Sequence, residues 1–302
     1  MAQSIIQAFE KTVERRGNAV AAQFRGNDGA WKTQTWVEFD HDRRAIGVGL
    51  IELGMEKGER GVILSNSSMK WMVTDLALQS TGGETVPIYQ SNLASEAEYI
   101  INDSDAVYVF VEDLEQLEKL HQIRNNVPKV RKVIVMNDAG ESSDWVMKWS
   151  ELHSLGESKL SERAAELKQR TDSVDGSDIL TIIYTSGTTG KPKGVVLTHD
   201  NMLYEAKAAM EIALVSDDDM ELLFLPMAHV SRRSCRSFGS IRATAWPSTP
   251  TRPESPRTSA TSSRTSSPPS RASSRRSTRG SLEWHRDAGH QRTAVQVGRW
   301  AE

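Results

Sequence analysis

The chain has 302 residues, 38% of them hydrophobic and 25% charged, and a formal net charge of -3, which is enough apolar material for one or two packed domains. Its single cysteine, Cys235, excludes an intrachain disulfide framework. The N-terminal run MAQSIIQAFEKTVERR scatters charge through its apolar positions, which excludes a secretory h-region or a membrane span there and points to a cytoplasmic chain.

In chain order, Ser4 caps a predicted helix with Ile5, Ile6, Phe9 and Val13 on its apolar face, ending near Gly17. Val20 to Phe24 and Trp31 to Thr35 flank a Gly-Asn-Asp-Gly turn at 26–29 and read as a hairpin. Thr35 then caps a helix over Trp36 to Leu53, closed by Gly54. Short β-branched runs at Gly61 to Leu64, Glu84 to Ile88, Val107 to Val111 and Val133 to Val135 alternate with helical segments at Met72 to Gln79, Ala94 to Asn102 and up to His121. This alternation predicts an α/β fold of layered sheets and helices. Gly156 to Arg170 is polar and reads as a solvated helix or connector. Trp36 and Trp71 are expected as core or half-buried packing groups.

The most informative segment is Ile179 to Tyr184, then Thr185-Ser186-Gly187-Thr188-Thr189-Gly190-Lys191-Pro192-Lys193-Gly194, then Val195 to Thr198. It predicts strand, loop, strand. Glycines let backbone N–H groups approach an anion, hydroxyls add donors, and lysine adds charge, so the loop has the parts of a phosphate cradle. A Walker loop would instead follow G-x-x-x-x-G-K-[ST] and open a helix. A plain glycine-rich turn is the competing interpretation, but it does not require two lysines bracketing a proline beside four hydroxyls. His199 and Asp200 sit where a helix starts and read as its capping residues.

The run YTSGTTGKPKGVVLTH resembles the signature loop of the adenylate-forming (AMP-binding) superfamily, which includes acyl-CoA synthetases, luciferases and peptide-synthetase adenylation domains. AFEKTVERRGNAVAAQF, GERGVILSNSSMKWMVTDLALQSTGG and TVPIYQSNLASEAEYIINDSDA are similar to the N-terminal half of bacterial long-chain fatty acyl-CoA synthetases. The likeness covers about Ile5 to Val230. It implies that Thr185, Ser186, Gly187, Thr188, Thr189, Gly190 and Lys193 hold the phosphates of ATP. It also implies that Mg²⁺ assists, that a fatty carboxylate attacks the α-phosphorus, and that the thiol of coenzyme A then displaces AMP. Leu225 to Val230 (LPMAHV) resembles the family's next motif, which makes His229 the candidate residue beside the acyl pocket. Fatty acid, ATP and coenzyme A are thus the implied small-molecule partners; no metal-ligating residue and no protein partner is read from the sequence, and the location leaves room for peripheral membrane association.

After Val230 the likeness stops, and the family's later adenine, ribose, hinge and C-terminal lysine motifs are not found. Residues 231–302 hold 14 Arg, no Lys and 4 acidic residues, leaving 23 basic and 36 acidic residues before them. From Ser231 to Ser281 the chain is Ser/Arg/Thr/Pro-rich with Phe238, Ile241 and Trp246 almost its only large apolar residues, too few to offset chain entropy, so disorder is expected. Two regions follow: a partial AMP-binding N-terminal domain over 1–230 and a low-complexity tail over 231–302. With synonymous codons freely chosen, shifting the frame so that each codon begins at the third nucleotide of the one before lets Ser231 to Arg236 encode FAKVLQ and Ser270 to Thr278 encode PRVFEKVY. Both strings resemble the family's continuation in one phase, so a frameshift near Val230 is expected, leaving this chain inactive. The alternatives are a non-enzymatic fragment whose arginine-rich tail binds nucleic acid, and an adenylation domain for an aryl or amino acid.

Overall fold

The computed structural model describes residues 3–26, 30–185, 190–211, 220–223, 227 and 240–243, all within the contact unit Met1–Pro250. In chain order the elements are α1 (Ile5–Arg16), β1 (Val20–Arg25), β2 (Trp31–Thr35), α2 (Trp36–Glu52), β3 (Arg60–Leu64), α3 (Met69–Ser80), β4 (Glu84–Ile88), α4 (Ala94–Asp103), β5 (Tyr108–Val111), α5 (Leu114–Ile123), β6 (Lys132–Val135), β7 (Val146–Lys148), α6 (Trp149–Asp172), β8 (Ile179–Thr185), β9 (Lys193–Thr198), α7 (His199–Glu211), β10 (Met220–Leu223) and β11 (Ser240–Ala243). The helix starts follow capping chemistry. The hydroxyls of Ser4 and Ser68 accept from the amides of Gln7 and Trp71, and Thr35 forms a reciprocal capping box with Glu38.

The larger sheet has strand order β7-β6-β5-β3-β4-β8-β9, parallel throughout except for the antiparallel β8–β9 hairpin. Alternation along its strands divides the core in two. Ile63, Tyr108, Phe110 and Ile134 face the cluster built with Ile46 and Leu50 of α2, Trp71 and Met72 of α3, and Trp149 and Leu152 of α6. Val62, Leu64, Val86, Ile88, Val109, Val111, Val133 and Val135 face the opposite cluster, with Ile100 and Ile101 of α4 and Leu117, Leu120 and Ile123 of α5. Helices therefore cover both faces, which is why the central strands read as unbroken apolar runs. Each fully buried Leu, Ile or Phe here contributes roughly 1.5–3 kcal/mol.

Two outcomes of the sequence-based expectations are informative. The segment Gly156 to Arg170, read as a solvated helix or connector, is helical and belongs to α6, a 24-residue helix packed closely on α2. A Cβ on Gly156 would lie 1.7 Å from the carbonyl oxygen of Ala45, and one on Gly49 would lie 2.5 Å from that of Leu152. The mid-helix glycine is thus a contact point between two backbones and not a break. Ser240 to Ala243, inside the stretch expected to be disordered, form β11, which pairs in parallel with both β1 and β10 to give the smaller sheet β10-β11-β1-β2. Edge N–H and C=O groups pair with any backbone that lacks proline, so composition alone does not bar a four-residue strand. The other residues of 231–302 lie outside the described set.

Among the described residues no helix is long and apolar enough to cross a membrane. β9 ends its sheet, with Val195 and Val196 at 44% and 50% exposure, an open apolar edge of the kind that solvent-facing sheets avoid.

Candidate phosphate-binding site

β3, β4, β5 and β8 run in the same direction, so their carboxyl ends share one edge of the sheet. The crevice outside that edge is where open α/β sheets hold ligands. β8 delivers Thr185 to this edge and β9 leaves it at Lys193, with the two residues directly paired across the hairpin. Gly190 has φ 112°, a conformation open to glycine, and nothing lies within 4 Å of the position a Cβ would take. Lys191 and Lys193 are exposed. A hydroxyl, two ammonium groups and an unobstructed glycine form a donor set that fits a phosphate chain. Ser186, Gly187, Thr188 and Thr189 lie outside the described residues, so of the seven predicted contacts the structure brings together Thr185, Gly190 and Lys193.

The hairpin is fastened at its base by residues that the sequence does not single out. The Tyr184 hydroxyl donates to Asp103 Oδ2 at 2.7 Å, and the Tyr99 hydroxyl donates to the Pro192 carbonyl at 3.2 Å. The two rings meet edge to face at 6.4 Å, and Lys191 Nζ lies 5.4 Å from the Tyr99 ring centroid. Gly194 is required beside them, because a Cβ there would come 2.8 Å from Ile182 Cγ2 and 3.2 Å from Tyr184 Cζ. Tyr99 and Asp103 come from α4, 81 residues or more before their partners, and no local pattern announces a contact at that separation.

Burial, and then the hydrogen bond to and charge of Asp103, push the Tyr184 phenol well above its ordinary value of 10.0. A phenol held protonated in the folded chain contributes stability that is present below the ordinary value and is lost as pH rises through the folded one. Tyr184→Phe is expected to lower stability by about 1 kcal/mol near neutral pH. It should also flatten the alkaline loss of stability, measured by denaturant unfolding at a series of pH values, and speed amide exchange at Gly194. Equal alkaline slopes in variant and parent would refute the anchoring role.

One residue of the LPMAHV motif, Met227, is described, and it reaches the same edge. The Met227 amide donates to Ser67 Oγ at 2.7 Å, just beyond the carboxyl end of β3, and the Met227 side chain is buried. His229 itself lies outside the described residues. His199 and Asp200 are not the helix caps that the sequence suggested. The cap is Thr198, whose hydroxyl accepts from the Asn201 amide at 3.3 Å while Asn201 Oδ1 accepts from the Thr198 amide at 3.0 Å. His199 is buried and its Nδ1 accepts from the Ile5 amide at 3.2 Å, which ties the start of α7 to the start of α1. Asp200 packs on Gly176, donating its own amide to that residue's carbonyl at 2.8 Å.

Comparison with known proteins shows the family and the fold. The sequence profile of AMP-binding enzymes matches residues 9–256. The long-chain-fatty-acid–CoA ligase FadD15 of Mycobacterium bovis is 35% identical over 209 residues, which is 68% of this chain and 34% of that protein. The long-chain-fatty-acid–CoA ligase ACSBG2 of Xenopus laevis is 30% identical over 233 residues, 76% of this chain and 31% of its own length. The chain thus spans about a third of the length of the curated relatives it matches. Among solved structures, apo MbtA of Mycobacterium smegmatis superposes with a TM-score of 0.67 at 21% identity, over 80% of this chain and 44% of that one. The fatty acyl-adenylate ligase of L. pneumophila gives 0.59 at 21% identity, over 81% and 40%. A mixed α/β layering with a hydroxyl-, glycine- and lysine-lined hairpin at the carboxyl edge of its sheet, together with a profile match over most of its length, makes this chain a member of the AMP-binding enzyme family.

Proposed function

We propose that the chain supplies the phosphate-gripping half of an AMP-forming fatty acyl-CoA ligase. The observation that carries the reading is the placement of Thr185 and Lys193 opposite each other at the mouth of the β8–β9 hairpin. In this role Thr185, Ser186, Gly187, Thr188, Thr189, Gly190 and Lys193 hold the triphosphate of ATP, with Mg²⁺ neutralising part of its charge. A fatty carboxylate attacks the α-phosphorus, pyrophosphate leaves, and the coenzyme A thiol then takes the acyl group and releases AMP. The hairpin acts by positioning and by electrostatics, not as a nucleophile. His229, two residues beyond the docked Met227, is assigned to the acyl side of the site. Long-chain acids are favoured over aryl or amino acids by the identity to the FadD15 and ACSBG2 ligases.

The same reading holds that residues 231–302 do not complete the site, because none of the adenine, ribose or hinge motifs occurs in them and a shifted frame can encode two short strings that resemble the family's continuation. Two assays test it together. The 302-residue chain is expected to make no acyl-CoA from ATP, palmitate and coenzyme A. A chain carrying the restored frame and the remainder of the family's length is expected to make it and to release AMP and pyrophosphate in equal amounts. Failure of the restored chain to bind ATP would overturn the proposal, and genomic codons around position 230 that forbid the shifted reading would remove the frameshift part of it.

A further inference from the structure

Away from the hairpin, α2 and α6 bring two imidazoles and a carboxylate to one point on the surface. His41 of α2 and His153 and Glu157 of α6 each offer a ligand atom, and these atoms all lie within 4.8 Å of one another. His153 and Glu157 are four residues apart on one helix and so share a face. His41 Nε2 is already 3.2 Å from Glu157 Oε2.

The surrounding residues hold this arrangement. Asp42 Oδ1 is 3.1 Å from His153 Nε2 and 3.9 Å from His41 Nδ1, while Asp42 Oδ2 accepts from Gln34 Nε2 at 2.7 Å. A carboxylate held by an amide and aimed at imidazole is the usual support of a histidine ligand. His153 stacks on Trp149 with ring centroids 5.3 Å apart. Trp149 is fixed in turn by its Nε1 donating to Thr74 Oγ1 at 3.2 Å and by Lys70 Nζ 4.7 Å from its ring. The close backbone approach at Gly49 and Gly156 sets the register between the helices that carry these ligands.

We propose that His41, His153 and Glu157, with Asp42 as the fourth ligand or as the group that orients His153, bind one transition-metal divalent cation of the zinc class and clip α2 to α6. Imidazole donors select zinc, nickel or copper over magnesium and calcium, which take oxygen ligands. Bonds of 2.0–2.1 Å in a tetrahedral site place donors about 3.3 Å apart. The His41 Nε2–Glu157 Oε2 separation of 3.2 Å is already close to that spacing, and both side chains are exposed and so have room to change rotamer. The site lies on helices that are separate from the hairpin, so it does not depend on the functional assignment above.

The test is calorimetric titration of the full chain with ZnCl₂ after chelator treatment, together with the thermal unfolding midpoint with and without the metal. The parent chain is expected to show saturable binding and a raised midpoint, while MgCl₂ at the same concentration does neither. His41→Ala/His153→Ala is expected to lose one zinc per chain, and Glu157→Gln to weaken that site roughly tenfold or more. The exposed Glu157 substitution leaves the fold intact, so it decides the matter if the double variant does not fold. Lys193→Ala is expected to bind zinc as the parent does. No saturable binding by the parent, or equal stoichiometry and affinity in parent and Glu157→Gln, overturns the proposal.

Discussion

Gly156→Ala is expected to destabilise the chain by about 3 kcal/mol or more, the upper end of what an added methyl group costs in a packed interior. The new Cβ would sit 1.7 Å from the Ala45 carbonyl oxygen, 2.8 Å from the Ala45 carbonyl carbon and 2.6 Å from the Gly49 nitrogen. All three are backbone atoms of α2, so no side chain can rotate away, and relief requires the helices to separate. Alanine gains about 1 kcal/mol over glycine from helix propensity, which does not offset a clash of that size. Separation would also loosen Trp149 and Leu152 from the core cluster they share with Trp71 and Ile63. Gly61→Ala is the informative contrast, since its nearest neighbours are the terminal Cδ atoms of Leu78 at 2.6 and 2.7 Å, which can shift to another rotamer. Urea unfolding of the two variants, with midpoints compared at equal slope, is expected to rank Gly156→Ala as clearly worse. A loss below about 1 kcal/mol would mean that the two helices are not in contact at these glycines.

The same glycine shows where the sequence is readable and where it is not. Strands β3 to β6 were legible because they are buried on both faces and their β-branched runs are bounded by turns; Glu84 to Ile88 matches its predicted limits. The hairpin carrying Thr185 and Lys193 was legible for a chemical reason, since few segments need so many glycines, hydroxyls and lysines together. The helix α6 was legible only in part. It buries Trp149, Leu152, Gly156, Leu167 and Thr171, which lie on one helical face, but a glycine and a threonine interrupt the apolar pattern of that face, and a mid-helix glycine imitates a terminus. β7 was missed because three residues at a sheet edge, with Met147 and Lys148 only half-buried, carry no periodicity. The buried link from His199 to Ile5 spans 194 residues, and the pairing of His153 with Asp42 spans 111. Contacts of that kind depend on which helices the fold sets side by side, and no local signal encodes them.

Lys193→Ala, in a chain completed through the rest of the family's length, is expected to slow ATP-dependent acyl-adenylate formation by roughly 10²–10³-fold, the loss typical of removing one preorganised charged or hydrogen-bonding contact to a transition state. The reason is position. Lys193 opens β9, pairs with Thr185 across the hairpin mouth and is exposed, so its charge is accessible to a phosphate. Lys191 differs: its ammonium lies over the Tyr99 ring, and Lys191→Ala should cost less in rate and more in the order of the loop. Because Lys193 is exposed, its removal should leave the unfolding free energy within a few tenths of a kcal/mol of the parent, which separates a lost electrostatic contact from a damaged fold. Lys193→Arg keeps the charge but replaces a compact ammonium with a planar fork, and is expected to recover part of the rate. If Lys193→Ala instead left both the adenylation rate and the affinity for ATP within twofold of the parent, the hairpin would be an ordinary turn, and the functional reading would fail with it.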